Sequence, residues 1–384
     1  MYTWLLVLTS LWTLLGVLAI ARVRRRRSAA PPIAVSVLKP LCGMDPSLER
    51  NLESFFAQDH PRFELIFGVE GTDDPAIELV RELQLRHPHV SSRLVIHEGA
   101  RGLNPKVRNL MAMMPEALHD LVLISDSNVF VPPGYLREMS AAMHDPEIGI
   151  ATSSIVGTTG DDSLGAMLEE SHLAGMVAGS IALANEAGHA AVIGKSMMFR
   201  RSVIDALGGL ESVAYVLAED YVLGRMVHAA GLRVHVCATP IENVIGRQSI
   251  RRFADRHIRW SMMRFRLAPV AYLLEPLATP LCVALLAPVF GFPLRVALMW
   301  ALGLTLARDA VHAWLLRGPG HALRTLPLGP LRDLIVLAVW AIAPFRRHVT
   351  WRQTHARVSS GTRLYVSRAA HDPVDEGLTS HTIG

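Results

Sequence analysis

Four places in the chain set acids or a lysine directly behind a run of apolar residues, and each spacing suits a particular chemistry. Asp126-Ser127-Asn128 follows Leu121-Val122-Leu123-Ile124 and leads into Val129-Phe130-Val131, which puts a carboxylate at the end of a buried strand. With an amide oxygen two residues on, Asp126 and Asn128 offer hard oxygen donors for Mg²⁺ or Mn²⁺ shared with a diphosphate. Lys106, in Gly102-Leu103-Asn104-Pro105-Lys106, can add a point charge for phosphate or simply sit solvated at a helix start. Lys39-Pro40-Leu41-Cys42-Gly43 and Glu70-Gly71-Thr72-Asp73-Asp74 end two further apolar runs. Their acids are either site residues or turn and cap residues.

Two more constellations lie downstream. Leu217-Ala218-Glu219-Asp220-Tyr221 sets adjacent acids at the start of a helical pattern, where the helix dipole favours them. Residues 247–266 hold seven Arg against one acid and include Arg256-His257-Ile258-Arg259-Trp260, the composition of a basic helix on a membrane surface. Gly194-Lys195-Ser196 is not a phosphate loop, because the glycine required at position 189 is His. It reads as a strand passing close to the site. No GxGxxG follows the first strand, which disfavours a dinucleotide oxidoreductase.

The elements that must position these groups alternate. Residues 33–41, 63–70, 93–99 and 121–128 read as buried strands, and the stretches between them repeat apolar residues at three- and four-residue spacing, as helices do. The pattern predicts an α/β fold, a mostly parallel sheet with helices on both faces. Ligands in such sheets bind beyond the carboxyl ends of the strands, where the polar residues above fall.

Composition bounds the setting. Hydrophobic residues make up 51% of 384 and charged residues 19%, at a mean hydropathy of +0.29, which implies part membrane and part water-soluble chain. Residues 1–22 are apolar enough for a transmembrane anchor, and five of residues 22–27 are Arg, which places the downstream domain in the cytoplasm by the positive-inside rule. Three separated cysteines suit a reducing compartment. Residues 276–294 are uncharged and predict a second membrane segment within a region spanning 267–345. Arg308-Asp309 and Arg332-Asp333 interrupt two further apolar stretches, and are expected at the interface or in a re-entrant segment. The helix expected over 164–186 is a candidate for lipid contact or an ordinary core helix. Residues 346–384 read as a basic cytosolic tail. Basic residues that cluster at membrane borders point to anionic lipid headgroups, not to nucleic acid.

Taken in order, KPLCG, SFFAQDHPRFE, GLNPKVRNL, SDSN, GKSMMFRR, LAEDY and RHIRW resemble the ceramide glucosyltransferases, inverting nucleotide-sugar transferases of GT-A fold. The resemblance implies glucose transfer from UDP-glucose to the primary hydroxyl of ceramide at a cell membrane. It makes Asp220 the base, Asp126 the metal-binding acid, and Arg256, Arg259 and Trp260 the closing (Q/R)xxRW motif, contacting phosphate and acceptor. Lys39, Pro40 and Leu41 would line the nucleotide pocket. The family places an Asp where Gly71 stands, so Glu70 or Asp73 would substitute there. Another lipid acceptor such as a hopanoid or diacylglycerol, or a non-catalytic nucleotide-sugar-binding membrane protein, are the competing readings.

Overall fold

The computed structural model describes residues 1–26, 30–351 and 354–366. In chain order it runs α1 (Tyr2–Arg25), β1 (Val35–Leu41), α2 (Leu48–Phe56), β2 (Phe63–Glu70), α3 (Ala76–Arg86), β3 (Ser92–His97), α4 (Pro105–Met113), β4 (Leu121–Ser125) and β5 (Val129–Phe130). Then come α5 (Tyr135–Ala142), β6 (Ile148–Thr159), α6 (Leu164–His172), α7 (Ala178–Glu186), β7 (Ser196–Arg200), α8 (Arg201–Ala206), α9 (Glu219–Ala229) and β8 (Arg233–Ile245). The C-terminal part holds α10 (Ile250–Leu267), α11 (Pro269–Leu274), α12 (Pro280–Leu285), α13 (Leu294–Arg317), α14 (Pro319–Thr325) and α15 (Gly329–Ile342). Three short strands complete it, β9 (His348–Trp351), β10 (Thr354–Val358) and β11 (Leu364–Val366).

The first eight strands form one sheet in the order β3-β2-β1-β4-β7-β6-β8-β5. β3, β2, β1 and β4 are mutually parallel, β7 runs antiparallel between β4 and β6, and β6 pairs with β8 in parallel. The four apolar runs are thus β1 to β4. The fourth stops at Ser125, and Val129–Phe130 pairs with β8 instead. Leu52, Phe55, Val80, Tyr135 and Met139 pack on one face of the sheet, Val107, Leu110, Met113 and Leu223 on the other. Each such buried side chain stabilises the fold by about 1.5–3 kcal/mol before entropy is counted. The carboxyl ends of β1 and β4 therefore open side by side, with α4 and α9 beside them.

Two helical stretches, Tyr2–Arg25 and Pro319–Phe345, are long and apolar enough to cross a membrane. The 24 residues of α1 rise about 36 Å. Trp4, Leu8, Leu11, Trp12 and Leu15 are exposed along its first half, whereas Ala19, Ile20 and Val23 pack on Ala178, Ala182 and Val236. The anchor therefore ends plugged into the sheet domain.

One expectation needs correction. Residues 276–294 are not one spanning helix: Pro276, Pro280, Pro288 and Pro293 cut them into α12 and single 3₁₀ turns, because each proline removes a backbone donor and crowds the preceding turn. Of the two readings of the helix over 164–186, the core one fits, since Ala166, Leu168, Leu173, Ala174, Ala178 and Ala182 are buried. It carries one π turn, Leu173–Val177, whose Gly175 carbonyl accepts from His312 Nδ1 at 2.9 Å. The two Arg-Asp pairs are buried and partnered. They face each other across α13 and α15: Arg308 Nη2 lies 3.3 Å from Asp333 Oδ2, Arg332 Nη1 2.8 Å from Asp309 Oδ2, and Arg332 Nη2 2.6 Å from Asp333 Oδ1. Arg332 also donates to the Ser171 hydroxyl at 3.0 Å, which ties the group to α6. Gly175 is required there, because a Cβ would stand 2.6 Å from both Arg332 Nη1 and Asp309 Oδ1.

The start of the basic tail is structured. β9, β10 and β11 make a small antiparallel sheet, Leu217 N–H donates to the Thr362 carbonyl at 3.0 Å, and Leu364 N–H donates to the Tyr215 carbonyl at 2.8 Å. The tail thus clamps the segment leading into α9. Residues 352–353 and 367–384 of the expected tail lie outside the described residues.

Arg332→Met leaves Asp309 and Asp333 with one guanidinium fewer in a buried setting and is expected to cost about 3–5 kcal/mol. Thermal melting in detergent reads this directly; a midpoint equal to wild type would show that the pairs are not buried together.

Candidate active site

Lys106 is the hub. Asn104 caps α4 by accepting from the Lys106 and Val107 N–H groups, and Pro105 supplies the first helical residue, so Lys106 projects from the first turn. Its ammonium lies 2.9 Å from Asp126 Oδ1 and 3.0 Å from Glu219 Oε1, and donates to the Gly194 carbonyl at 2.6 Å. Lys195 holds the other Asp126 oxygen, at 3.0 Å from Oδ2, and donates to Asn128 Oδ1 at 2.7 Å. Lys39, wholly buried, donates to the Asp126 carbonyl at 2.6 Å.

Asp220 enters from the first turn of α9. Its Oδ2 accepts from Gly194 N–H and its Oδ1 from Tyr221 N–H, both at 2.8 Å. Gly194 allows the approach, since a Cβ there would meet Asp220 Oδ2 at 2.5 Å. Asp126 and Asp220 are therefore brought together, one on each side of Lys106 and Gly194.

The two carboxylates are tuned in opposite directions. Burial alone would raise Asp126, but Lys106 and Lys195 outweigh it and hold the carboxyl well below the ordinary range. Burial, and then the neighbouring Glu219 carboxylate, push Asp220 up to about 6. Burial opposes the charge on Lys106, yet Asp126 and Glu219 keep it well above its usual value. Lys39 is brought down to about 7 by burial against the pull of Asp126.

The arginine-tryptophan segment lies on α10, capped by Ser249, which turns Phe253, His257 and Ser261 inward at four-residue spacing. Arg256 sits 3.5 Å from Glu169 Oε1, His257 Nε2 2.8 Å from Glu169 Oε2, and the Arg256 guanidinium lies 5.1 Å from the Trp260 ring centroid. Trp260 follows Arg256 by one helical turn and stacks on it, which accounts for the tryptophan in the motif. Arg259 is half-buried beside them; burial and then Arg256 lower its pKa. Burial and Asp126 act first on Lys195, and Arg256 next, so the arginine cluster borders the carboxylate cluster.

Other expected residues stand apart. Glu70 is taken by Arg108, whose Nη2 lies 2.8 Å from Oε2, and Asp73 is exposed with the Thr72 hydroxyl at 3.3 Å. Neither contacts the Asp126 cluster among the described residues. Asp74 caps the start of α3 and accepts from Gly43 N–H at 2.7 Å. Pro40 is half-buried, and Leu41 puts its side chain into the core while its carbonyl accepts from Asn109 at 3.2 Å.

Lys195 and Glu169 are site residues that sequence reasoning passed over. The only signal for Glu169 was an acid in the middle of an apolar helix. Burial opposes its ionisation, but Arg256 and His257 hold it down to about 2. Asp126 and Asn128 fit a hard divalent cation in one respect: they already share a positive charge, the Lys195 ammonium. They supply at most three side-chain oxygens, and among the described residues no group of three or more His, Cys, Asp or Glu side chains forms a metal cluster. Diphosphate oxygens and water would have to complete such a shell.

The family model described as glycosyl transferase family 21 matches residues 2–364. Ceramide glucosyltransferase 1 of Caenorhabditis elegans is 32% identical over 243 residues, which are 63% of this chain and 52% of that protein. A ceramide glucosyltransferase of Komagataella phaffii is 29% identical over 311 residues, 66% of this chain and 61% of its own. The chain thus spans about half the length of the worm relative. Among solved structures, a mannosyltransferase from Pyrobaculum calidifontis in complex with GDP-Man and Mn²⁺ superposes with a TM-score of 0.54 at 17% identity, covering 90% of this chain and 97% of that one. The likeness is one of fold, and the GT-A expectation holds.

Lys106→Met leaves Asp126 and Glu219 without their shared ammonium, and the variant is expected to lose about 3–5 kcal/mol at pH 7. The depressed carboxyl of Asp126 stabilises the wild type above its unfolded pKa of 3.8, and that contribution is lost as pH falls. The gap between variant and wild type should therefore hold down to about pH 4 and narrow only below it. Melting curves across pH test this, and a constant gap contradicts the pairing.

Proposed function

The chain belongs to glycosyl transferase family 21, and we propose on that footing that it moves glucose from UDP-glucose to the primary hydroxyl of ceramide, with inversion at the anomeric carbon. One observation carries the reading: two carboxylates stand on one rim, Asp126 held ionised by Lys106 and Asp220 raised to about 6 beside Glu219, which the same lysine pairs. Environments that push two acids apart assign them different tasks.

Asp220 takes the proton of the acceptor hydroxyl as that oxygen bonds to the sugar C1. The bond from C1 to the diphosphate breaks on the opposite face, and its electron pair leaves with UDP, following the geometry of other inverting glycosyl chemistry. Lys106, Lys195, Arg256 and Arg259 are the cations that receive the leaving diphosphate, the two guanidiniums through paired hydrogen bonds. Glu169 orients Arg256, and Trp260 limits its swing. Asp126 and Asn128 are the residues that would hold Mg²⁺ or Mn²⁺, which when bound supplies Lewis-acid neutralisation of the diphosphate.

The lipid acceptor sets the placement. A two-chain lipid leaves the bilayer only at ~0.8 kcal/mol per CH₂, so the rim must stand at the interface. The proposed organisation is an anchor over 1–22, a catalytic domain over 31–266, a membrane region over 267–345 and a basic tail over 346–384. The arginines after the anchor support a multi-pass protein in the cell membrane with its catalytic side in the cytoplasm.

Asp220→Asn is expected to lower transfer by about 10²–10⁴-fold while UDP still binds; calorimetry and product analysis by mass spectrometry read the two, and undiminished turnover removes Asp220 from the mechanism. The base must be ionised, so kcat/KM should rise with pH through about 6 and level off above it. Chelation with EDTA should stop turnover and added Mg²⁺ or Mn²⁺ restore it, whereas full activity in EDTA would leave the lysines and arginines to neutralise the diphosphate without a metal.

A further inference from the structure

A second group of cations lies away from the carboxylates. A cavity of about 510 Å³ opens between the end of α10 and the small C-terminal sheet, lined by Arg266, Arg347, Arg357, Ser359, Ser360 and Tyr365. The three arginines come from separate places: the last turn of α10, the residue before β9, and β10. Their frame is fixed by backbone. Arg266 donates to the carbonyls of Met262, at 3.3 Å, and Arg346, and Val358 N–H donates to the Arg347 carbonyl at 2.8 Å.

No carboxylate balances them among the described residues. Glu275, close to Arg266 in sequence, is taken by Arg264 at 2.8 Å. Burial, and then the adjacent Arg347, pull the Arg266 pKa below its usual value, as gathered like charges do. A set of unbalanced guanidiniums, one of them held by backbone carbonyls, with two hydroxyls beside it suits a phosphate-type anion.

The surroundings say which anion. Val270, Leu273 and Leu274, just after Arg266, are exposed, and Phe345, just before the Arg346-Arg347 turn, is 83% exposed. Apolar side chains so bare beside a basic cavity suit a ligand with an acyl end as well as a charged one. We infer that this cavity binds the headgroup of an anionic phospholipid, with the acyl chains lying against α11 and Phe345. The inference goes beyond the transfer reading and does not depend on it.

The test uses the full chain in detergent with mixed micelles of phosphatidylglycerol and phosphatidylcholine, and counts retained lipid by native mass spectrometry. Phosphatidylglycerol is expected to be retained in preference, and the Arg347→Gln/Arg357→Gln variant to retain it roughly tenfold less or weaker still. Arg62→Gln, an exposed arginine elsewhere, should retain it as wild type does. Equal retention by the double variant would overturn the site. Displacement by inorganic phosphate at the same concentration would make it a free-phosphate site and overturn the lipid assignment. A photoreactive phosphatidylglycerol on wild-type protein keeps the test open if the double variant does not fold: cross-links within 345–366 support the site, and cross-links confined to other segments overturn it. Retention is read without turnover, so its outcome stands whether or not sugar transfer is found.

Discussion

Everything at the rim depends on how Asp126 is neutralised. A carboxylate at a strand end between two ammonium groups stays ionised although half-buried, and the groups that neutralise it come from α4 and from the turn before β7. Because Lys106 also holds Glu219, the same balance fixes the first turn of α9 and with it Asp220. Asp220 is placed by the charge of a residue more than a hundred positions earlier in sequence. Buried ionic clusters of this kind contribute little net stability compared with apolar packing, yet they penalise every arrangement that leaves one member unpaired. Their effect is to select one geometry.

The sequence made the local half of this legible. Strand ends could be read because a run such as Leu121-Val122-Leu123-Ile124 has few other uses, and Asp126, Lys106 and Asp220 were found because each follows such a run or opens a helix. The rest is non-local. Lys195 was set aside with a failed phosphate-loop pattern, although the strand it precedes pairs directly with β4 and delivers it to Asp126. Glu169 gave no periodic signal, since its partners Arg256 and His257 lie on another helix. Arg308-Asp309 and Arg332-Asp333 looked like interruptions because each pair was read alone, and a charge in an apolar helix makes sense only with its partner present. Glu70 looked suited to stand in for an acid at Gly71 until Arg108 was found holding it.

The membrane-facing and catalytic parts are joined through α6 and its π turn. On one side Glu169 holds the arginines of α10; two residues further on, Ser171 receives Arg332, and then Gly175 receives His312. One helix therefore contacts both the apolar bundle and the arginine segment of α10. A π turn frees a carbonyl from its usual partner, and here an imidazole from α13 takes it up. On the opposite side the small C-terminal sheet braces Tyr215 and Leu217 just ahead of Glu219 and Asp220. The reactive edge is thus supported from both the bundle and the tail.

The facing Arg-Asp pairs of α13 and α15 also govern how the chain is made. Either helix leaving the ribosome alone would carry an ion pair into lipid with nothing but its own neighbour to satisfy it. Released as a hairpin and sealed against the already folded sheet domain, the two become electrically neutral at once. Neither helix meets its full set of charged partners until the other is in place.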